Sequence, residues 1–104
     1  MNVIHEFYYI VGQADFYQHY ILEIEKETER QLVCRVYDAT KTKYKGKATL
    51  KKSQLDQIHK FVDRKYGTFY RLYIIEEKDV DLHQKAKDII YRHLIAVAEN
   101  FYNS

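Results

Sequence analysis

The residues with chemical capacity are five histidines, one cysteine and two runs of evenly spaced charge. His5, His19, His59, His83 and His93 include no His-x-x-x-His pair and no glutamate-flanked pair, so the spacing of a helical zinc site is absent. His83 follows Asp79 and Asp81 in "DVDLH". Those donors suit a divalent ion, yet acids gathered at a helix start are the simpler reading. His93 falls beside an apolar stripe and reads as a packed, hydrogen-bonded ring. Cys34 is the only cysteine, which excludes an intrachain disulfide and zinc sites built on several thiolates. Strand alternation turns it inward, where a thiol is inert. Gly-x-Ser-x-Gly, P-loop and dinucleotide fingerprints are missing, and three glycines are too few to cradle a phosphate. No catalytic residue, metal ligand or cofactor is expected.

The charge runs say more. "KTKYKGKATLKK" carries Lys41, Lys43, Lys45 and Lys47 at every second position, then Lys51 and Lys52, without an acid. On an extended strand the first four project from one face about 6.8 Å apart, close to the spacing of phosphates along a nucleic-acid strand. Tyr37 would offer a stacking ring nearby. Lysines also guard sheet edges against aggregation. "EIEKETER" sets a second row, Glu23, Glu25, Glu27 and Glu29. Matching apolar faces places Ile24 opposite Leu32 and Leu22 opposite Cys34, then Leu32 near Ala48 and Cys34 near Gly46. Glu23, Val33 and Lys47 then share a row across the sheet. The two charge rows lie two strands apart, about 9.6 Å, roughly a Debye length at physiological salt. They partly cancel each other's field, which suits a complementary protein surface better than a polyanion. A second copy, its Glu row meeting this Lys row, is one such surface.

The elements that must position these rows follow from periodicity. Val3–Val11, rich in β-branched and aromatic residues, reads as a strand. Tyr17–Glu25, Arg30–Asp38 and Thr42–Leu50 read as further strands, although Tyr17, Tyr20, Ile21 and Ile24 also fit a helical stripe, and the short connections favour an antiparallel meander. Tyr44, Ala48 and Leu50 would lie opposite the lysines. Ile21, Val33, Arg35 and Tyr37 would share the lysine face with Glu23 and Glu25, and Phe7 and Tyr9 join them if the first hairpin's register allows. Ser53 reads as a helix start, Leu55, Ile58, Phe61 and Val62 as its stripe, and Gly67 after Tyr66 as its C-terminal cap. Thr68–Ile75 reads as a fifth strand, apolar on both faces, as in a central position. A long last helix from about Val80 to Tyr102 carries Leu82, Ala86, Ile89, Ile90, Leu94, Val97 and Phe101, with Asp79 or Asp81 at its cap. It is roughly 34 Å long against a five-stranded sheet about 24 Å wide. It must cross diagonally or overhang, and an overhanging apolar stripe calls for a partner. The expected fold is α+β, an antiparallel sheet of four meander strands plus a fifth with two helices on one face, in the order β-β-β-β-α-β-α.

With 104 residues, 46% hydrophobic and 31% charged, the chain reads as one soluble globular domain. A net charge of +2 is too small to imply a polyanion by itself. The start "MNVIHEFYYIVG" lacks a basic region, no apolar run suits a membrane span, and a lone buried cysteine fits a reducing compartment, so the cytoplasm is expected. Eleven tyrosines supply side chains suited to half-wet surfaces. Together these point to a small non-enzymatic protein that binds a protein, a second copy included. The surface is the face of Glu23, Glu25, Val33, Arg35 and Tyr37, or the last helix. Such chains are frequent among accessory and inhibitor proteins of phage and other mobile elements. The alternative is a nucleic-acid-binding accessory protein using Lys41–Lys52.

Overall fold

A computed structural model describes residues 3–65 and 67–103. Six strands, β1 (Val3–Ile10), β2 (Gln18–Glu27), β3 (Gln31–Asp38), β4 (Tyr44–Lys51), β5 (Ile58–Asp63) and β6 (Gly67–Ile75), precede one helix, α1 (Leu82–Asn103). They form a single antiparallel sheet in the order β4-β3-β2-β1-β6-β5. The mixed α+β class holds, but the expected five strands and two helices are corrected to six strands and one α-helix among the described residues. Among the described residues no helix is long and apolar enough to cross a membrane.

The extra strand comes from the segment read as the first helix. Ser53 lies in a 3₁₀ turn, Lys52–Gln54, and Ile58–Asp63 pairs with β6. Leu55, Ile58, Phe61 and Val62 fit a helical stripe, whereas in β5 Ile58 and Val62 lie on one face and Phe61 on the other, so local periodicity favours the helix. The otherwise unpaired edge of β6 overrides that preference, because pairing satisfies its backbone groups. Phe61 stacks on Phe69 with ring centroids 5.3 Å apart, a cross-strand pair no local helix could form. Gly67 adopts φ 78° where the chain turns back into β6. It serves a hairpin rather than a helix cap, and the expected helix end at Tyr66 lies outside the described residues.

The sheet is curled into a half-barrel. Leu55 bridges Tyr73 of β6, and the Asp56 N–H donates to the Tyr73 carbonyl at 2.7 Å. Yet β3, β2 and β1 separate β4 from β6. Four strand spacings span about 19 Å in a flat sheet, whereas the four residues from Lys51 to Leu55 reach at most about 14 Å. Only a curled sheet closes that gap. Bulges at Ile24/Lys26 in β2 and opposite Val36/Tyr37 in β4 supply bend where the curl needs it. Gly46, at φ 126°, sits in the second.

Curling creates two apolar layers. Inside lie Ile4, Leu22, Leu32, Cys34, Leu50 and Tyr73, with Leu55 of the crossing segment packed against them. Outside, Phe7, Tyr9, Tyr70, Leu72 and Ile74 pack against Ala86 and Ile90 of α1. β1 and β6 are therefore buried on both faces, which explains the blurred alternation of β6.

Asp81 caps α1, accepting from the Gln84 N–H at 3.1 Å through its carboxylate and from the Lys85 N–H at 3.0 Å through its carbonyl. His83 packs on Phe7 and His93 on Tyr70, with centroids 5.1 Å and 5.2 Å apart. The helix thus runs towards the Gly67 end of β6 and continues past it. Val97 and Phe101, the last members of the expected apolar stripe, are 48% and 76% exposed, so of the two expected alternatives the helix overhangs. The radius of gyration is 14.6 Å, above the roughly 13 Å of a compact chain this long.

Candidate interaction surfaces

The outer sheet face has two halves. Through the register His5↔Ile21↔Tyr37↔Tyr44, the residues beside β1 that escape α1 are Ile21, Tyr37 and Tyr44. Glu23, Arg35 and Lys47 form the next row. Val33 follows, opposite Lys26 and Thr49. The expected face of Glu23, Val33, Arg35 and Tyr37 is one surface, while Phe7 and Tyr9 on the same side lie under the helix. The register is shifted by two residues: Ile24 opposes Cys34, and Leu32 opposes Leu50. A two-residue shift keeps every side chain on its face.

The open half is knitted together. The Arg35 Nε–H donates to the Tyr37 hydroxyl at 3.0 Å, and its guanidinium lies 4.5 Å from the centroid of the Tyr44 ring. Tyr37 and Tyr44 meet edge to face at 5.7 Å. Tyr44 was expected on the opposite face. The Gly46 bulge breaks the alternation and brings it here, and a glycine inside a strand pattern is the sequence signal for such a break.

The lysine row is likewise redistributed. β4 begins at Tyr44, so Lys41 and Lys43 belong to the preceding turn, and Lys45 falls in the bulge. Lys41 pairs with Glu23 at 2.7 Å, Lys47 with Glu25 at 3.1 Å, and Lys52 with Glu27. The two charge rows thus meet within one chain. Lys41 holds the Glu23 carboxyl below its usual range through a hydrogen bond and its charge. Lys43, Lys45 and Lys51 are exposed. Asp38 builds the turn that aims Lys41. One carboxylate oxygen accepts from the N–H of Thr42 at 2.7 Å and of Lys43 at 3.0 Å. The other accepts from the hydroxyls of Thr40 and Thr42 at 3.1 Å and 2.9 Å. These bonds, led by the Lys43 N–H, hold its carboxyl down at about 2.

A histidine cluster lies at the start of α1. His5 Nδ1 and His19 Nε2 are 2.7 Å apart, and His5 Nε2 lies 3.1 Å from Glu76 Oε1. The consistent tautomers have His19 donating to His5 and His5 donating to Glu76. The His83 ring meets His19 edge-on at 5.0 Å and does not join Asp79 and Asp81 in a metal site. Burial, helped by the charges of His5 and His83, lowers His19 to about 4. Spacing along the chain does not reveal this cluster, because its members are 14 and 64 positions apart and only the β1–β2 register and helix docking unite them. Among the described residues no group of three or more His, Cys, Asp or Glu side chains is placed to hold a metal ion. Burial also pushes the Cys34 thiol up to about 11, so it stays protonated at neutral pH.

The second surface is the end of α1, where Ile95, Phe101 and Tyr102 are 58%, 76% and 83% exposed. No family model, curated protein or solved structure matches this chain.

Proposed function

We propose that the chain is a non-enzymatic interaction module and that a protein partner docks on the open half of the outer sheet face. The observation that carries this reading is the incomplete cover of that face. α1 packs over β1 and β6, and leaves Val33, Tyr37 and Tyr44 accessible beside an aromatic–guanidinium cluster. Tyrosine and arginine are the side chains that most often carry interface energy. Here they are already fixed by Arg35–Tyr37 and Tyr37–Tyr44 contacts, so little side-chain entropy is lost on binding. The pairing of Lys41, Lys47 and Lys52 with carboxylates weakens the positive field that a phosphate backbone would need. That favours protein over nucleic acid as the partner. A small chain with one such surface suits an accessory or inhibitory role, as in mobile elements.

The test is affinity capture by the native protein and by Val33→Glu and Tyr44→Ala variants. Both side chains are partly or largely exposed, so the fold should be retained, which circular dichroism checks. The expected result is one protein captured by the native chain and at least about tenfold less by either variant, from the loss of about 1.4 kcal/mol or more. Equal capture by all three, or salt-sensitive binding to DNA or RNA in its place, would contradict the reading.

A further inference from the structure

We infer that the overhanging end of α1 is the dimerisation element of this protein, pairing antiparallel with the same segment of a second copy. This surface is separate from the open sheet face, and the inference stands whether or not that face binds a partner. Past Leu94 the helix leaves its own sheet, yet its sequence does not become polar. From Ile89 to Asn103 the only Asp, Glu, Lys or Arg residues are Arg92 and Glu99. Tyr91, Ile95, Phe101 and Tyr102 are 46%, 58%, 76% and 83% exposed. An isolated helix end this short is marginal in water, and Ile95, Val97 and Phe101 are not strong helix formers. A covering surface explains both features.

The spacing says what that surface is. Tyr91, Leu94, Ala98 and Phe101 are separated by three, four and three residues, the alternation of a coiled-coil seam. Ile95 and Tyr102 flank it, each one position beyond a seam residue. Turned about a two-fold axis at Ala96, the seam is complementary to itself. Tyr91 of one copy meets Phe101 of the other, and Leu94 meets Ala98, aromatic on aromatic and large on small. A two-fold axis makes each contact twice.

The area is sufficient. An aromatic side chain can bury about 150–250 Å². Tyr91, Phe101 and Tyr102, at their observed exposures, together with Ile95 and Val97, offer on the order of 500 Å² per copy and 1,000 Å² in all. That is close to the lower bound for a specific interface. The expected dimer is therefore of micromolar affinity, and the monomer is present in dilute solution.

The experiment is sedimentation equilibrium on the full chain from about 1 µM to about 1 mM, with Phe101→Asp and Ile95→Asp variants alongside. The native mass should rise from the 12.6 kDa of one chain towards twice that value. Both variants should remain monomeric over the whole range, with unchanged far-ultraviolet circular dichroism because neither side chain is buried in the monomer. A native protein that stays monomeric at 1 mM overturns the inference, as does a dimer that Phe101→Asp leaves intact. Either result leaves the sheet-face reading untouched, since Val33 and Tyr44 are not in this seam.

Discussion

Asp38 and His19 are the residues on which pH acts most directly. Unfolded, Asp38 titrates near 3.9, while in the folded turn its carboxyl is held at about 2 by four hydrogen bonds. Its contribution is present above about pH 4 and is lost as pH falls towards 2. Denaturant titrations across that window should show a stability slope that Asp38→Asn removes. His19 has the opposite charge type but the same direction. The folded ring accepts a proton only near 4, the unfolded one near 6.5. Stability is full above about pH 6.5 and falls as pH drops towards 4, because the unfolded chain binds the extra proton. The ring is only half-buried, so solvent screening reduces the effect to about 1–2 kcal/mol. Proton NMR should find His19 neutral at pH 5, and His19→Phe should flatten the slope between pH 6.5 and 4. A ring titrating near 6.5 would contradict the described packing. The ion pairs act more weakly. Their lysines and glutamates are substantially exposed, so Glu23→Lys should leave the denaturant midpoint nearly unchanged.

At the level of elements, the Gly46 bulge is the most informative position. Its φ of 126° is a conformation side chains rarely adopt, and no atom lies within 4 Å of where a Cβ would be. The penalty for Gly46→Ala is therefore backbone strain alone, about 1–3 kcal/mol. Removing the bulge should also turn Tyr44 away from Tyr37, which tyrosine ring shifts in NMR spectra would detect. In the inner layer Leu22→Ala should cost about 2–5 kcal/mol, since the side chain is fully buried. The same positions show what was legible in sequence. β2, β3 and β4, alternating with period two, and the long helix with period 3.6 were readable because each has a distinct apolar face, while β1 and β6, buried on both faces, were readable from their run of β-branched and aromatic residues. Residues 53–65 were not. Ile58, Phe61 and Val62 follow the helical period, whereas on the strand Phe61 faces the opposite side from Ile58 and Val62, and the deciding contact, Phe61 on Phe69, is non-local. Register was also hidden. A slip of two residues keeps Ile24 and Cys34 on the inner face either way, so the hydrophobic pattern cannot distinguish the pairings. The outer-face residues Glu23, Val33, Arg35 and Tyr37 were placed together by alternation alone, whereas Tyr44 and the in-chain lysine–glutamate pairs depended on the bulge and the Asp38 turn.

For the whole molecule, the curled sheet divides the work between its faces. The inner face is closed by Leu55 and its neighbours, so it serves stability. The outer face is half covered by α1, and the helix itself runs beyond the sheet. Two accessible surfaces result, one on the outer face of β3 and β4, one a narrow seam at the end of α1. The sheet-face surface carries the proposed function, and a photoreactive amino acid in place of Tyr44, compared with one in place of exposed Val62 on β5, tests it most directly. Irradiation in lysate should join a single protein to the Tyr44 position, with no such adduct at Val62. Adducts of equal yield at both positions, or none at Tyr44, would contradict a partner on the open sheet face.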